Sequence, residues 1–183
     1  MNRIPKSTSN LVLGVCVLLF LPVKAVAQTK PIEFLAGAWR VTGVRLDETL
    51  TRTPHYNYND ADLMGSLITF TTKNVQAKMP EKVNCRNPVV NTEIMTMETL
   101  IDRTMLRTRD LISRKNRFAL PLDTSKSIEV LWVTCGKGHV GPDDPRGPEG
   151  YNWIAKLSGS KIAMRWYDNT ILLLDRKTKR RLP

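Results

Sequence analysis

Residues 151–176 read YNWIAKLSGSKIAMRWYDNTILLLDR, and their pattern decides the fold class. Gly159-Ser160 is a two-residue turn signal, with glycine at the first central position as a type II′ turn requires. That turn sets Leu157 opposite Ile162, Ala155 opposite Met164 and Trp153 opposite Trp166, so every pair on this face is apolar. The other face pairs Lys156 with Ala163, Ile154 with Arg165 and Asn152 with Tyr167. A slip of one residue sends each side chain to the opposite face, so a register that sorts both strands is informative. Asp168-Asn169 offers a second tight turn, because both residues tolerate positive φ. It sets Trp166 against Ile171 and Met164 against Leu173. The expected product is a three-stranded meander with a Trp/Met/Leu inner face, which needs something to close over it.

Working outward, residues 127–135 (SIEVLWVTC) read as a strand, with Ile128, Val130 and Trp132 on one face and Leu131 and Val133 on the other. Apolar residues on both faces place it centrally. Residues 39–46 form a first strand, with Trp39, Val41 and Gly43 on one face and Arg40, Thr42 and Val44 on the other. Residues 63–71 and 75–79 supply the second and third strands, Pro80 ends the third, and residues 81–91 read as irregular. Residues 92–113 are ambiguous: Ile94, Met97, Leu100, Ile101 and Met105 recur at helical spacing behind a Thr92 cap, while the threonines favour strand. The reading is a helix or turn near 93–103, a strand near 104–112 and a short strand at 117–120. The polar residues 47–61 and the Gly/Pro-rich residues 136–150 are long loops. About eight strands joined to sequence neighbours, after one helical turn at residues 29–36, predict an all-β, single up-and-down barrel.

The start of the chain is read as a secretory signal. Arg3 and Lys6 precede an apolar run at residues 11–21, and Ala25-Val26-Ala27 is a small-residue cleavage site. The run is too short for a membrane span. A lipoprotein reading of Leu13-Gly14-Val15-Cys16 meets two obstacles: Val15 is not small, and the apolar run continues past Cys16. Removing 27 of the 183 residues leaves 156, enough for one domain with a real core, in a periplasmic or secreted location. Cys85 and Cys135 then remain, and an even count in an exported chain predicts a disulfide, with two buried free thiols as the alternative. Of the 28 Lys/Arg, 25 stay against 17 Asp/Glu, a net +8. Such a chain suits an anionic surface or an acidic protein, with the basic residues 177–181 as a docking tail or a solvated terminus; outside the cytoplasm nucleic acid is a poor candidate.

At Gly37-Ala38-Trp39 the sequence resembles the lipocalin and calycin group, whose first strand opens on Gly-x-Trp after a short helical turn. The resemblance implies that Trp39 closes the base of the barrel and that Arg176, at the end of the last strand, covers it by a cation–π contact. It covers the first and last strands and the strand count. The group's Thr-Asp-Tyr type turn is missing, and Trp166-Tyr167-Asp168 does not replace it.

Motifs for chemistry are sparse. His55 and His139 stand in loops, and their spacing to Asp143 and Asp144 matches no compact zinc pattern. No Gly-x-Ser-x-Gly, Walker or Rossmann spacing occurs. The carboxylate pairs Asp143 with Glu149 and Asp60 with Asp62 are of a kind that loops carry routinely. The expectation is a non-enzymatic binding protein with no cofactor and no metal. In one version Trp132, Trp153, Met164 and Trp166 wall a cavity for a small apolar or amphiphilic ligand. In the other the barrel is filled, and loops 47–61 and 136–150, with His55, Tyr56 and Tyr58, bind an exported protein as an inhibitor or immunity factor would. A hydrolase is a third, weaker class.

Overall fold

Eight antiparallel strands, each paired with its sequence neighbour, close into a barrel when the last meets the first. The computed structural model describes residues 31–47, 49, 52–105, 116–142 and 152–178. In chain order the elements are α1 (Pro31–Leu35), β1 (Gly37–Leu46), β2 (Leu67–Phe70), β3 (Asn74–Ala77), β4 (Val83–Thr96), α2 (Met97–Thr104), β5 (Ser127–Lys137), β6 (Trp153–Lys156), β7 (Lys161–Trp166) and β8 (Thr170–Arg176). β8 closes on β1 from Trp39 beside Arg176 to Leu46 beside Thr170. The expected signal segment lies outside the described residues, as do residues 143–151 of the second long loop and the end of the basic tail. Cys85 and Cys135 form a disulfide across a separation of 50 residues.

The meander is present, but each of its hairpins holds one residue more than the sequence register allows. At the first, the Leu157 and Ser158 N–H groups both donate to the Lys161 carbonyl at 3.0 Å. Ala155 therefore faces Ala163, and Ile154 faces Met164. Among the described residues the positive-φ glycines are Gly37, Gly65 and Gly138, so Gly159 does not make the type II′ turn. At the second, Asp168 and Asn169 do take positive φ (53° and 57°). The Thr170 N–H closes that turn on the Tyr167 carbonyl at 3.2 Å. The ladder then sets Trp166, not Tyr167, beside Thr170, and Met164 beside Leu172. An extra residue of this kind is a bulge, and it turns the following strand over. β7 keeps its expected face, whereas β6 and β8 present the opposite one.

The slips divide the apolar residues between two cores. The interior draws on all eight strands, among them Trp39, Ile68, Val75, Cys85, Leu131, Ile154, Met164, Trp166 and Leu172. The second core lies on the outer face of β5–β8, where Val130, Trp132, Trp153, Ala163 and Leu173 meet Met97, Leu100 and Ile101 of α2 and Phe118 and Leu120 beyond it. A strand apolar on both faces is thus explained for β5: one face looks into the barrel and the other lies under α2. A register shift between Val41 and Gly43 likewise brings Val44, not Gly43, into the interior.

Three further expectations change. Residues 81–91 are mostly strand: β4 begins at Val83 and passes through Asn87, whose φ of 50° accommodates a local bend, and then Pro88. The helix starts later than Thr92, because the ladder with β5 holds residues through Thr96, and Thr96 is the cap, its Oγ1 accepting from the Thr99 N–H at 3.1 Å. Residues 117–120 form a turn and not a strand, fixed by the Asn116 side chain on the Leu120 N–H (2.7 Å) and carbonyl (2.8 Å). Thr104 is helical, and the rest of the strand expected at 104–112 falls almost wholly outside the described residues.

Candidate functional site

One end of the barrel is closed by α1. The Trp39 indole N–H donates to the Leu35 carbonyl at 2.7 Å, fixing the helical turn beneath the first strand. The Arg176 guanidinium lies over the Trp39 ring, 4.3 Å from its centre, and donates to the Ala36 carbonyl at 2.7 Å and to the Phe34 carbonyl. It satisfies carbonyls that the short helix leaves without partners. The Phe34 ring takes a second cation, Lys156, at 4.5 Å, and Lys156 pairs with Glu129 at 2.9 Å.

The four residues expected to wall a ligand do not share a wall. Met164 and Trp166 belong to the interior, and Trp132 and Trp153 to the outer core. The Trp153 indole donates to the Thr104 hydroxyl of α2 at 2.8 Å, and the Trp132 indole to Glu93 at 3.0 Å. Inside the barrel the lining is packed: Trp39, Ile68, Val75, Ile154, Ile162 and Trp166 are 0% exposed and Met164 1%. A hole that admits water leaves accessible surface on the atoms around it.

The other end is built from the long connection between β1 and β2. Tyr56 and Leu63 turn into the barrel, where Val140 joins them. Tyr58 points outward and is 55% exposed, under the Arg45 guanidinium at 4.5 Å. Asn59 holds this arrangement: its Oδ1 accepts from the Val44 N–H (3.1 Å) and from Arg45 (2.6 Å), and its own N–H donates to the Val44 carbonyl (3.1 Å). Met64, on the same connection, is 36% exposed. His55 is exposed, with its ring 4.9 Å from that of Tyr56.

Two carboxylates tie this end together. Asp47 is buried, pairs with Arg117 at 2.8 Å, and accepts from the Asn169 amide at 3.1 Å and the Thr49 hydroxyl at 2.6 Å. Asp168, in the β7–β8 turn, pairs with Arg52 and accepts from the His55 N–H. Partial burial alone would raise its pKa, but Arg52 and that N–H outweigh it and hold the carboxyl below the ordinary value. Neither tie was visible in the sequence, since Asp47 and Arg117 stand 70 residues apart.

Of the residues weighed for catalysis, His55, Asp60, Asp62 and His139 lie among those described. The Asp60 carboxylate accepts the N–H groups of Asn57 (2.9 Å) and Asp62 (3.0 Å), which lowers its pKa and makes it a turn cap, not an acid paired with Asp62. His139 meets the Lys82 carbonyl at 3.1 Å. Among the described residues no three His, Cys, Asp or Glu side chains gather as a metal site, and no helix is long and apolar enough to cross a membrane. Asp143, Asp144 and Glu149 lie outside the described residues. Comparison of the chain with protein-family models, with characterised proteins and with solved structures finds no match.

Proposed function

We propose that this is an exported, non-enzymatic binding protein of lipocalin-like build whose barrel is a filled scaffold, and that it docks another protein through the connection between β1 and β2. The observation that carries this reading is the contrast between the two sides of that connection. Tyr56 and Leu63 seal an interior whose lining is inaccessible, while Tyr58 and Met64 stand in solvent. Tyr58 is held in place by Arg45 and Asn59, so its ordering cost is met before a partner arrives. Tyrosine and methionine are favoured contact residues at protein interfaces.

The same contrast turns the reading away from a small apolar ligand inside the barrel. The lipocalin-like part of the proposal is supported by the α1 turn, by Trp39 beneath it and by Arg176 over the indole. Export is supported by the signal-like first 27 residues, and the disulfide suits an oxidising compartment. The net positive charge of the mature chain favours an acidic partner surface.

The test combines native mass spectrometry of the protein from its exported compartment with affinity capture by the wild type and by a Tyr58→Ser/Met64→Ser double variant. The expected result is a bare chain mass and a captured protein that the double variant loses. A bound mass of small-molecule size, released on denaturation, would overturn the reading in favour of a carrier.

A further inference from the structure

The far half of β4 has a partner on one side only. β3 covers β4 from Val83 to Arg86. Asn87, at φ 50°, donates to the Lys73 carbonyl at 2.7 Å, Pro88 follows, and the strand leaves β3. β4 then stays paired with β5 as far as Thr96 beside Ser127. The direction of its free backbone groups follows from β5. The Val133 N–H turns to the Asn152 carbonyl next to β6 at 2.8 Å. Thr134, Trp132 and Val130 therefore turn to β4, and their partners Val89, Asn91 and Glu93 turn to β5. The N–H and C=O groups of Val90, Thr92 and Ile94 point the other way, and none has a backbone partner among the described residues. α1 packs beside β4 yet leaves Thr92 and Ile94 exposed. Of the large hydrophobic side chains exposed among the described residues, two stand on this half-strand, Val89 at 56% and Ile94 at 68%.

Open edges in monomeric proteins are usually guarded by lysine, proline or a bulge. Residues 88–96 read PVVNTEIMT, without a lysine or arginine, in a chain that is otherwise strongly basic. The one charge, Glu93, is neutralised within its own chain by Arg103 at 2.9 Å. Pro88 and the Asn87 bend guard only the near end.

We propose that this edge pairs with the same edge of a second copy, antiparallel, about a two-fold axis at Thr92. Centring the pairing on Glu93 would oppose that carboxylate to itself. Centring it on Asn91 sets Val89 against Glu93 and Val90 against Thr92. Centring it on Thr92 sets Val89 opposite Met95, Val90 opposite Ile94, Asn91 opposite Glu93 and Thr92 opposite itself, so apolar meets apolar and polar meets polar. In this register the free groups of Val90, Thr92 and Ile94 satisfy one another, and the residue on the axis is uncharged. The contact is self-complementary and closes at two copies.

Sedimentation equilibrium of the mature chain with its disulfide intact tests this, from about 1 to 100 micromolar. The wild type is expected to dimerise. Thr92→Lys, which sets like charges on the axis at an exposed position, is expected to move the dimerisation midpoint at least about tenfold higher with thermal melting of the monomer unchanged. Thr92→Cys is expected to give a covalent dimer under mild oxidation, because opposed residues of a hydrogen-bonded pair stand about 5.5 Å apart at Cα. Val89→Cys, which faces Met95, is expected not to. A monomeric wild type, a dimer of undiminished strength in Thr92→Lys, or preferential cross-linking of Val89→Cys overturns the proposal. If Thr92→Lys fails to fold, the two cysteine variants decide.

Discussion

The guanidinium of Arg176 lies 4.3 Å from the centre of the Trp39 ring, joining the last residue of the last strand to the start of the first. It also binds two carbonyls around α1, so one side chain ties together β8, β1 and the helical turn. Arg176→Ala removes the ring contact and leaves those carbonyls to water. The expected loss is about 2 kcal/mol, read as a lower denaturation midpoint at unchanged m-value. Arg176→Lys is expected to recover only part of it, since an ammonium cannot match the planar fork.

The outer core gives a second test. Leu100 of α2 is fully buried against the outside of the barrel. Leu100→Ala is expected to cost about 2–5 kcal/mol, as for other buried leucines. A surface helix lying loosely on a self-sufficient barrel would lose almost nothing. Urea denaturation of the two proteins separates these outcomes.

Asp47 has a fully buried side chain and three side-chain partners from separate parts of the chain. Asp47→Ala takes the buried carboxylate away from Arg117, Asn169 and Thr49 and is expected to cost about 3–5 kcal/mol. Replacing a surface carboxylate such as Asp123, whose side chain is half exposed, is expected to fall within about 0.5 kcal/mol. Thermal melting of both variants measures the difference.

Acid is expected to act on the Asp168 tie. The folded carboxyl titrates below its ordinary value, so its contribution is complete above the unfolded value near ~3.9 and is lost as the pH falls through the folded one. The connection around His55 is therefore expected to keep its amide protection from neutral pH down to the ordinary carboxylate value and to lose it only as the pH falls further, through the folded one. Asp168→Asn is expected to show weak protection at every pH. Hydrogen exchange of the His55 amide, whose N–H the carboxylate accepts, gives the readout.

How much of this was legible in the sequence depends on the range of the interaction. Strand existence was readable where apolar runs end in turn residues: β1, β5, β6, β7 and β8 all fall where residues 39–46, 127–135 and 151–176 place them, and their neighbour-to-neighbour order suits the closed up-and-down barrel. Face was less readable. Period-2 patterning fixes a face only if no residue is inserted, and bulges at Leu157 and Tyr167 inserted two. Both alternatives looked apolar because β6 and β8 are buried on both sides, by the interior and by α2. β4 was hidden by Asn87 and Pro88, which ordinarily punctuate a strand and here bend one. At the candidate site, His55, Tyr56 and Tyr58 were named together from the sequence, but a loop has no periodicity to say that Tyr56 turns inward and Tyr58 outward. That division is set by Asn59 and Arg45, through contacts the pattern does not encode.

The split of the apolar residues into two cores also gives the molecule two optical reporters. The chain has four tryptophans, and they divide evenly: Trp39 and Trp166 inside the barrel, Trp132 and Trp153 beneath α2. Emission from the second pair reports the helix lifting from the sheet, and emission from the first reports the barrel opening. Single-tryptophan variants would therefore time the two events separately in one refolding experiment, with no label attached. Coincident traces would mean that helix and barrel assemble as one unit. A lag between them would give the order in which the two cores become dry.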